Sequence, residues 1–164
     1  MFFFLLSLAA DVYENDYNYY SENLTIMDVT KLPFNKLIGI KHSADPEYLL
    51  MLDDNQDYHN HLGTVHAGAG FALAEATSGH FLFQEFGEFE RIVPVVRKSE
   101  IRFRKPAKGQ IFSKAHLAST TIKEEIEQML AHRRRVSLPV EVSLFDETHT
   151  VIMKAVFEWV ILPE

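Results

Sequence analysis

A chain of 164 residues, 47% of them hydrophobic and 24% charged, suits one globular domain that buries roughly 70% of its unfolded surface, and it is too ordinary in charge to be disordered throughout. Cysteine is absent, which excludes a disulfide framework, a thiolate zinc site and a Cys nucleophile and fits a reducing, cytoplasmic setting. The net charge of −7 belongs to the front of the chain, since residues 1–60 hold ten Asp or Glu against three Lys or Arg while residues 61–164 hold thirteen of each; an acidic front lacks the basic footprint of a nucleic-acid partner.

The apolar start MFFFLLSLAA is followed by the polar, acidic, Tyr-rich DVYENDYNYYSEN. The run is shorter than the ~20 apolar residues a bilayer span needs, and no Lys or Arg precedes it as in a secretory signal. Residues 1–26 therefore read as an appendage or upstream extension, with a targeting segment as the alternative, and no stable membrane insertion is expected. A single domain occupies residues 27–164, without internal repeat or linker.

Within that domain, TKLPFNKLIG is bracketed by Pro33 and Gly39 and predicts a short helix or turn. Residues 47–53, EYLLMLD, predict a strand, and residues 53–61 a polar loop. The segment that follows predicts a helix opening at His66. From His66 to Phe83 it carries a single acid, Glu75, and no Lys or Arg, and a helix apolar almost all round is usually buried. Its first turn and the preceding loop hold Gly63, Gly68 and Gly70, so packing rather than intrinsic propensity must hold it.

After Gly87 the pattern turns to strands: VPVVRKSEIRFRKPA, ended by Pro106 and Gly109, and then QIFSKAHLAS. TIKEEIEQMLAHRRR predicts a surface helix with a Thr121–Glu124 capping box and an apolar face of Ile122, Ile126, Met129 and Leu130. VSLPVEVSLFD and TVIMKAVFEWVIL predict two strands joined around Glu147, and Pro139 suggests an edge or a bulge in the first of them. The fold class is thus α+β: strands following one another through short turns form an antiparallel sheet, and that sheet wraps around the long central helix.

Asn60, then Gly63-Thr64-Val65-His66-Ala67-Gly68, then Leu73-Ala74-Glu75 resembles the signature of hotdog-fold acyl-CoA thioesterases, most closely the branch with the phenylacetate-pathway and 4-hydroxybenzoyl-CoA enzymes. The element order from about residue 30 onward is similar as well. The resemblance implies a hotdog fold and a homodimer with a continuous sheet, with a dimer of dimers as a larger assembly. It implies active sites at the dimer interface, an acyl-CoA substrate, and no cofactor beyond the coenzyme A that is part of that substrate. Carried onto this chain, Glu75 is the catalytic carboxylate, as general base or nucleophile. The backbone N–H of Ala67, together with Gly68, forms the oxyanion site. Asn60 places water or the thioester, and His66 orients the loop or the substrate. Where the family has His-Gly-Gly, this chain reads His66-Ala67-Gly68, which keeps a backbone donor and narrows the pocket by a methyl group.

The chemistry of those residues is consistent with such a role. Burial raises the basicity of a carboxylate, and the free N–H groups of a helix N-terminus favour developing negative charge. Glu75 is otherwise a structural buried carboxylate, Asn60 a loop cap and His66 a structural histidine. Gly63, Thr64 and Ser78 are candidate substrate contacts, with helix packing the alternative for Ser78. Arg97, Arg102, Arg104 and Lys105 lie in a basic stretch that also holds Lys98 and Lys108; they either receive coenzyme A phosphates or form a solvated strand face. His59, His61 and His66 match no defined zinc motif, and no metal site is expected. A non-catalytic acyl-CoA binding protein is the alternative function, and a hotdog dehydratase the third.

Overall fold

The computed structural model describes residues 27–86, 92–118, 123–132 and 135–163. The predicted appendage at residues 1–26, the Thr121 half of the capping box, Ile122, and Arg133–Arg134 of the basic helix end lie outside the described residues.

The chain enters through a 3-10 turn, Val29–Lys31, and a short helix α1 (Pro33–Leu37), where Pro33 at the first helical position supplies a pre-set φ. Asn35 locks the two together by donating from Nδ2 to the Val29 carbonyl at 3.0 Å. Two short strands follow, β1 (Lys41–His42) and β2 (Leu50–Leu52). The predicted strand over 47–53 narrows to β2, because Asp45 and Tyr48 close a turn ahead of it. β1 carries no apolar pattern, both its residues being exposed, and periodicity could not have shown it.

The central helix α2 (Ala67–Phe86) is twenty residues long. It starts one residue after the predicted opening and extends past Phe83, so Glu85 is a second acid within it. Beyond its exposed first turn it is buried through Leu73, Ala74, Thr77, Ser78, Leu82 and Phe86. The helix is almost without amphipathic contrast because the sheet covers most of its circumference.

That sheet comprises β1, β2, β3 (Ile92–Phe103), β4 (Ile111–Leu117), β5 (Val136–Asp146) and β6 (Val151–Pro163) in the order β1-β2-β4-β5-β6-β3, every pairing antiparallel. Residues alternate along β5, with Val136, Leu138, Val140, Val142 and Leu144 turned to the core and the residues between them on the outer face. A six-stranded antiparallel sheet curled around one long helix is the hotdog fold. The surface helix α3 (Lys123–Ala131) buries Ile126 and Leu130, in keeping with its predicted apolar face.

Pro139 corrects one expectation. β5 is an internal strand, paired with both β4 and β6, and the register shifts at Leu144/Phe145 rather than at the proline. Proline is tolerated there because β4 ends at Leu117, opposite Val140, and Ala118 just beyond it donates to the Pro139 carbonyl at 2.9 Å. The missing N–H therefore removes a single ladder bond at the last rung.

Candidate functional site

Residues 58–66 fold back on themselves in front of α2. Gly63 makes the turn with φ +65°, a left-handed conformation that costs a residue with a Cβ. Asn60 closes the turn from inside: its Oδ1 accepts from the N–H of Leu62 at 2.9 Å and of Thr64 at 3.3 Å, and its Nδ2 donates to Thr64 Oγ1 at 2.9 Å. The loop is fastened to its neighbours by Val65 N–H to the Ala107 carbonyl (2.9 Å) and by His66 N–H to the Tyr58 carbonyl (2.6 Å). Asn60 thus spends its amide on shaping the loop, and through the loop it sets where α2 begins.

His66 caps that helix. Its Nδ1 accepts the Gly68 N–H at 2.9 Å and its carbonyl accepts the Ala69 N–H at 3.0 Å, which satisfies two of the donors a helix start leaves open. The Ala67 N–H has no acceptor among the described residues. Of the two backbone donors anticipated from sequence, then, Gly68 is engaged by the cap and Ala67 is free.

Ala67 lines a cavity of about 350 Å³, at the small end of the roughly 300–1,000 Å³ usual for small-molecule sites. Asn60, Thr64, His66, Ala67, Arg104 and Lys105 all line it. Exposed Leu62, Phe103, Arg104 and Lys105 form its rim, and buried Gly70, Ile111, Leu144, Ile152 and Met153 its floor. Arg104 and Lys105 are held there by their backbone N–H groups, which donate to the Ile152 carbonyl at 2.7 and 3.2 Å.

Other predicted residues fall elsewhere. Gly63 and Gly68 shape the approach without lining the cavity. Arg97 is exposed where β3 shifts register, and Arg102 is exposed opposite Lys154 on the solvent face of the sheet. β3 ends at Phe103, so Arg104 and Lys105 reach the cavity from beyond the strand, whereas Arg102 stays on the strand's solvent face and does not line it. Ser78 is a correction to the substrate contacts: it is fully buried, its hydroxyl donating to the Glu75 carbonyl at 2.7 Å and accepting from Trp159 Nε1 at 3.0 Å.

Glu75 lies two turns further along α2, about 12 Å from Ala67 at 1.5 Å rise per residue, and is not part of this cavity. Its side chain is half-buried, and no described residue gives its carboxylate a hydrogen bond or ion pair. Burial pushes its pKa up from the ordinary carboxylate value, because removing a charge from water disfavours it when nothing compensates. Asp28 shows the opposite outcome. Burial raises it too, but hydrogen bonds from Thr30 and the His42 ring bring its pKa down to about 2. Among the described residues no three His, Asp or Glu side chains converge as metal ligands, and no helix is long and apolar enough to cross a membrane.

The cavity floor is what the sequence did not disclose. Ile111, Leu144, Ile152 and Met153 are strand residues whose alternation marks them as core, and only the fold shows that they stop short of α2 at Gly70. A glycine in the second half of a helical turn, where the pattern needs no hinge, was the available sign.

Solved structures share this architecture. A protein of unknown function from Pseudomonas aeruginosa, described as a probable thioesterase, is 27% identical, with a TM-score of 0.70 over 83% of this chain and 91% of its own. A Shewanella oneidensis protein with a provisional thioesterase assignment is 17% identical, with a TM-score of 0.67 over 82% of this chain and 91% of its own. A Bacillus halodurans protein solved with CoA is 15% identical, with a TM-score of 0.55 over 69% of this chain and 70% of its own. No curated protein sequence matches this chain. The sequence profile of a domain of unknown function, DUF4442, matches residues 31–161, and the chain belongs to that family.

Proposed function

We propose that this protein is a thioester hydrolase acting on acyl-CoA, releasing the free acid and coenzyme A, with each active site built from two copies of the chain. The observation that carries the reading is Ala67, at a helix N-terminus, lining a largely apolar cavity with a backbone N–H that no described residue engages, on a chain whose half-buried Glu75 carboxylate has no partner among the described residues. A thioester carbonyl oxygen seated at Ala67 gains a donor and the positive end of the α2 dipole as it becomes an oxyanion. Glu75, its basicity raised by burial, takes the proton of an attacking water. Alternatively, it attacks the carbonyl carbon itself to give an anhydride that water then opens. In either route the C–S bond breaks, and coenzyme A leaves as a thiolate that takes up a proton. Arg104 and Lys105 at the rim suit the phosphates of coenzyme A. The thioesterase description of the Pseudomonas aeruginosa protein and the CoA held by the Bacillus halodurans protein support the same substrate class.

Distance supports a site shared by two copies. Reacting atoms must approach to about 3–3.5 Å, and Ala67 and Glu75 of one chain are about 12 Å apart along one helix. A second copy supplies the missing acid if the open edge of β3 pairs with its counterpart. That edge is about 40 Å long at 3.3 Å per residue, and Val95 and Phe103 on it are 48% and 59% exposed. An edge of this length that no described strand covers invites pairing.

The test is thiol release from a panel of acyl-CoAs by the wild type and by Glu75→Gln. Release by the wild type and a loss of about 100- to 10,000-fold in the variant, the range for a lost general base, is the expected result. Binding of acyl-CoA without release by the wild type would replace this reading with that of a carrier or sensor.

A further inference from the structure

We propose that Gly70 sets the depth of the acyl cavity and that the acyl group it takes is an aliphatic chain with an apolar end. The proposal rests on the thioesterase reading above and concerns the part of the substrate remote from the thioester. The polar residues of the cavity are confined to its loop wall and rim: Asn60 and Thr64 bond to each other within the loop, and Arg104 and Lys105 are exposed. The floor, formed by Gly70, Ile111, Leu144, Ile152 and Met153, has no charged or hydrogen-bonding side chain. A hydroxyl carried at the far end of the acyl group finds no partner there, and apolar pockets disfavour such an added hydroxyl by about 100-fold.

Gly70 is a residue that the backbone does not demand. It lies within α2 and is not among the glycines of positive φ. A Cβ placed on it would meet Met153 Sδ at 3.6 Å and Leu144 Cδ1 at 3.7 Å, both ordinary van der Waals contacts. Glycine is among the poorest helix formers, so alanine would suit the helix better and would fit. What alanine would remove is the space between α2 and the side chains of Leu144 and Met153, which is the bottom of the cavity. Glycine at this position therefore keeps that space open for ligand atoms.

Gly70→Ala in the full-length chain tests this, with straight-chain acyl-CoAs from acetyl to myristoyl as substrates and the matching non-hydrolysable S-alkyl-CoA thioethers as binding probes. The expected result is a chain-length optimum shortened by about one or two carbons. The ratio of kcat/KM at the wild-type optimum to that at the next shorter chain should fall at least about tenfold, as for one methylene of misfit in an apolar pocket. The thermal midpoint should be equal to or above that of the wild type, which excludes damage to the helix. An equal loss at every chain length, or an optimum that does not move, overturns the proposal. If the wild type hydrolyses no acyl-CoA, the hydrolase reading falls separately, and the thioether titrations decide. A binding optimum shortened by Gly70→Ala upholds the assigned depth; no shift, or no thioether binding at all, refutes it.

Discussion

Replacing Ala67 by proline removes one hydrogen-bond donor, puts the ring Cδ in its place at the cavity wall, and leaves the helix intact. Position 67 is the first residue of α2, where proline is favoured because its fixed φ suits the helix and its missing N–H had no partner within it. The restriction proline places on its predecessor is met, since His66 precedes the helix as its cap. The Gly68 N–H remains on His66, and the fold is preserved. Loss of one oxyanion donor costs about 100- to 1,000-fold in kcat, or about 2.7–4 kcal/mol. Glu75→Gln costs about 100- to 10,000-fold for a different reason. If each site combines Ala67 of one copy with Glu75 of the partner subunit, mixing the two inactive variants restores activity. With free exchange about half of the dimers are mixed, one of the two sites in each is wild type in both groups, and the mixture recovers about a quarter of wild-type activity. The assay is thiol release from one acyl-CoA before and after subunit exchange, with exchange verified by native mass spectrometry of differently tagged copies. A mixture that exchanges fully and remains at the level of its inactive parents would refute the two-copy site, and with it the assignment of Ala67 and Glu75 to one reaction.

Two further expectations concern stability. Burial raises the Glu75 carboxyl above its ordinary 4.5, so between the unfolded and folded titrations the folded state holds the extra proton and stability falls as pH rises. Glu75→Gln removes that group; its gain in urea midpoint over the wild type should be present above this window and should vanish below about pH 4.5, and a pH-independent difference would contradict the burial argument. Ser78→Ala leaves the Trp159 indole N–H buried without its acceptor, a cost of about 1–3 kcal/mol. Calorimetry should show a midpoint about 2–10 °C lower, and adding Trp159→Phe should return part of it; a Ser78→Ala protein as stable as the wild type would show that the hydroxyl is dispensable.

The fold was legible where burial on one side imposes a period. β5 and β6 lie between neighbours with one face on α2, and the predicted segments 136–146 and 150–162 agree with the strands Val136–Asp146 and Val151–Pro163 to within a residue. Where no such pressure acts, the sequence is silent. Lys41 and His42 of β1 are exposed and held by backbone pairing to β2 and by polar contacts of Lys41 with Asp53 and of His42 with Asp28, none of which leaves a hydrophobic period. Pro139 was misleading for a related reason: a residue type reports the loss of one N–H, and whether that loss falls at a strand edge or at the last rung of an internal ladder depends on where β4 stops.

The candidate site divides in the same way. Asn60, Thr64, His66 and Ala67 are close in sequence, so a motif that brings them together needs only a tight turn at Gly63, and the cavity does gather them. Glu75 belongs to the same motif by spacing, yet a helix converts eight residues into about 12 Å, and the spacing that makes the motif recognisable also forbids its two halves from meeting within one chain. A carboxylate left half-buried and unpaired is costly to a monomer, and so is a long strand edge left uncovered on β3. The proposed dimer meets both costs with one symmetric contact: a two-fold axis beside β3 would turn the helix of the second copy end for end and bring its acid toward the donor of the first. On this proposal dimerisation and catalysis stand or fall together, and a β3-edge variant that stays monomeric and folded, such as Val95→Lys, which lies outside the cavity lining, should keep the cavity and lose the hydrolysis.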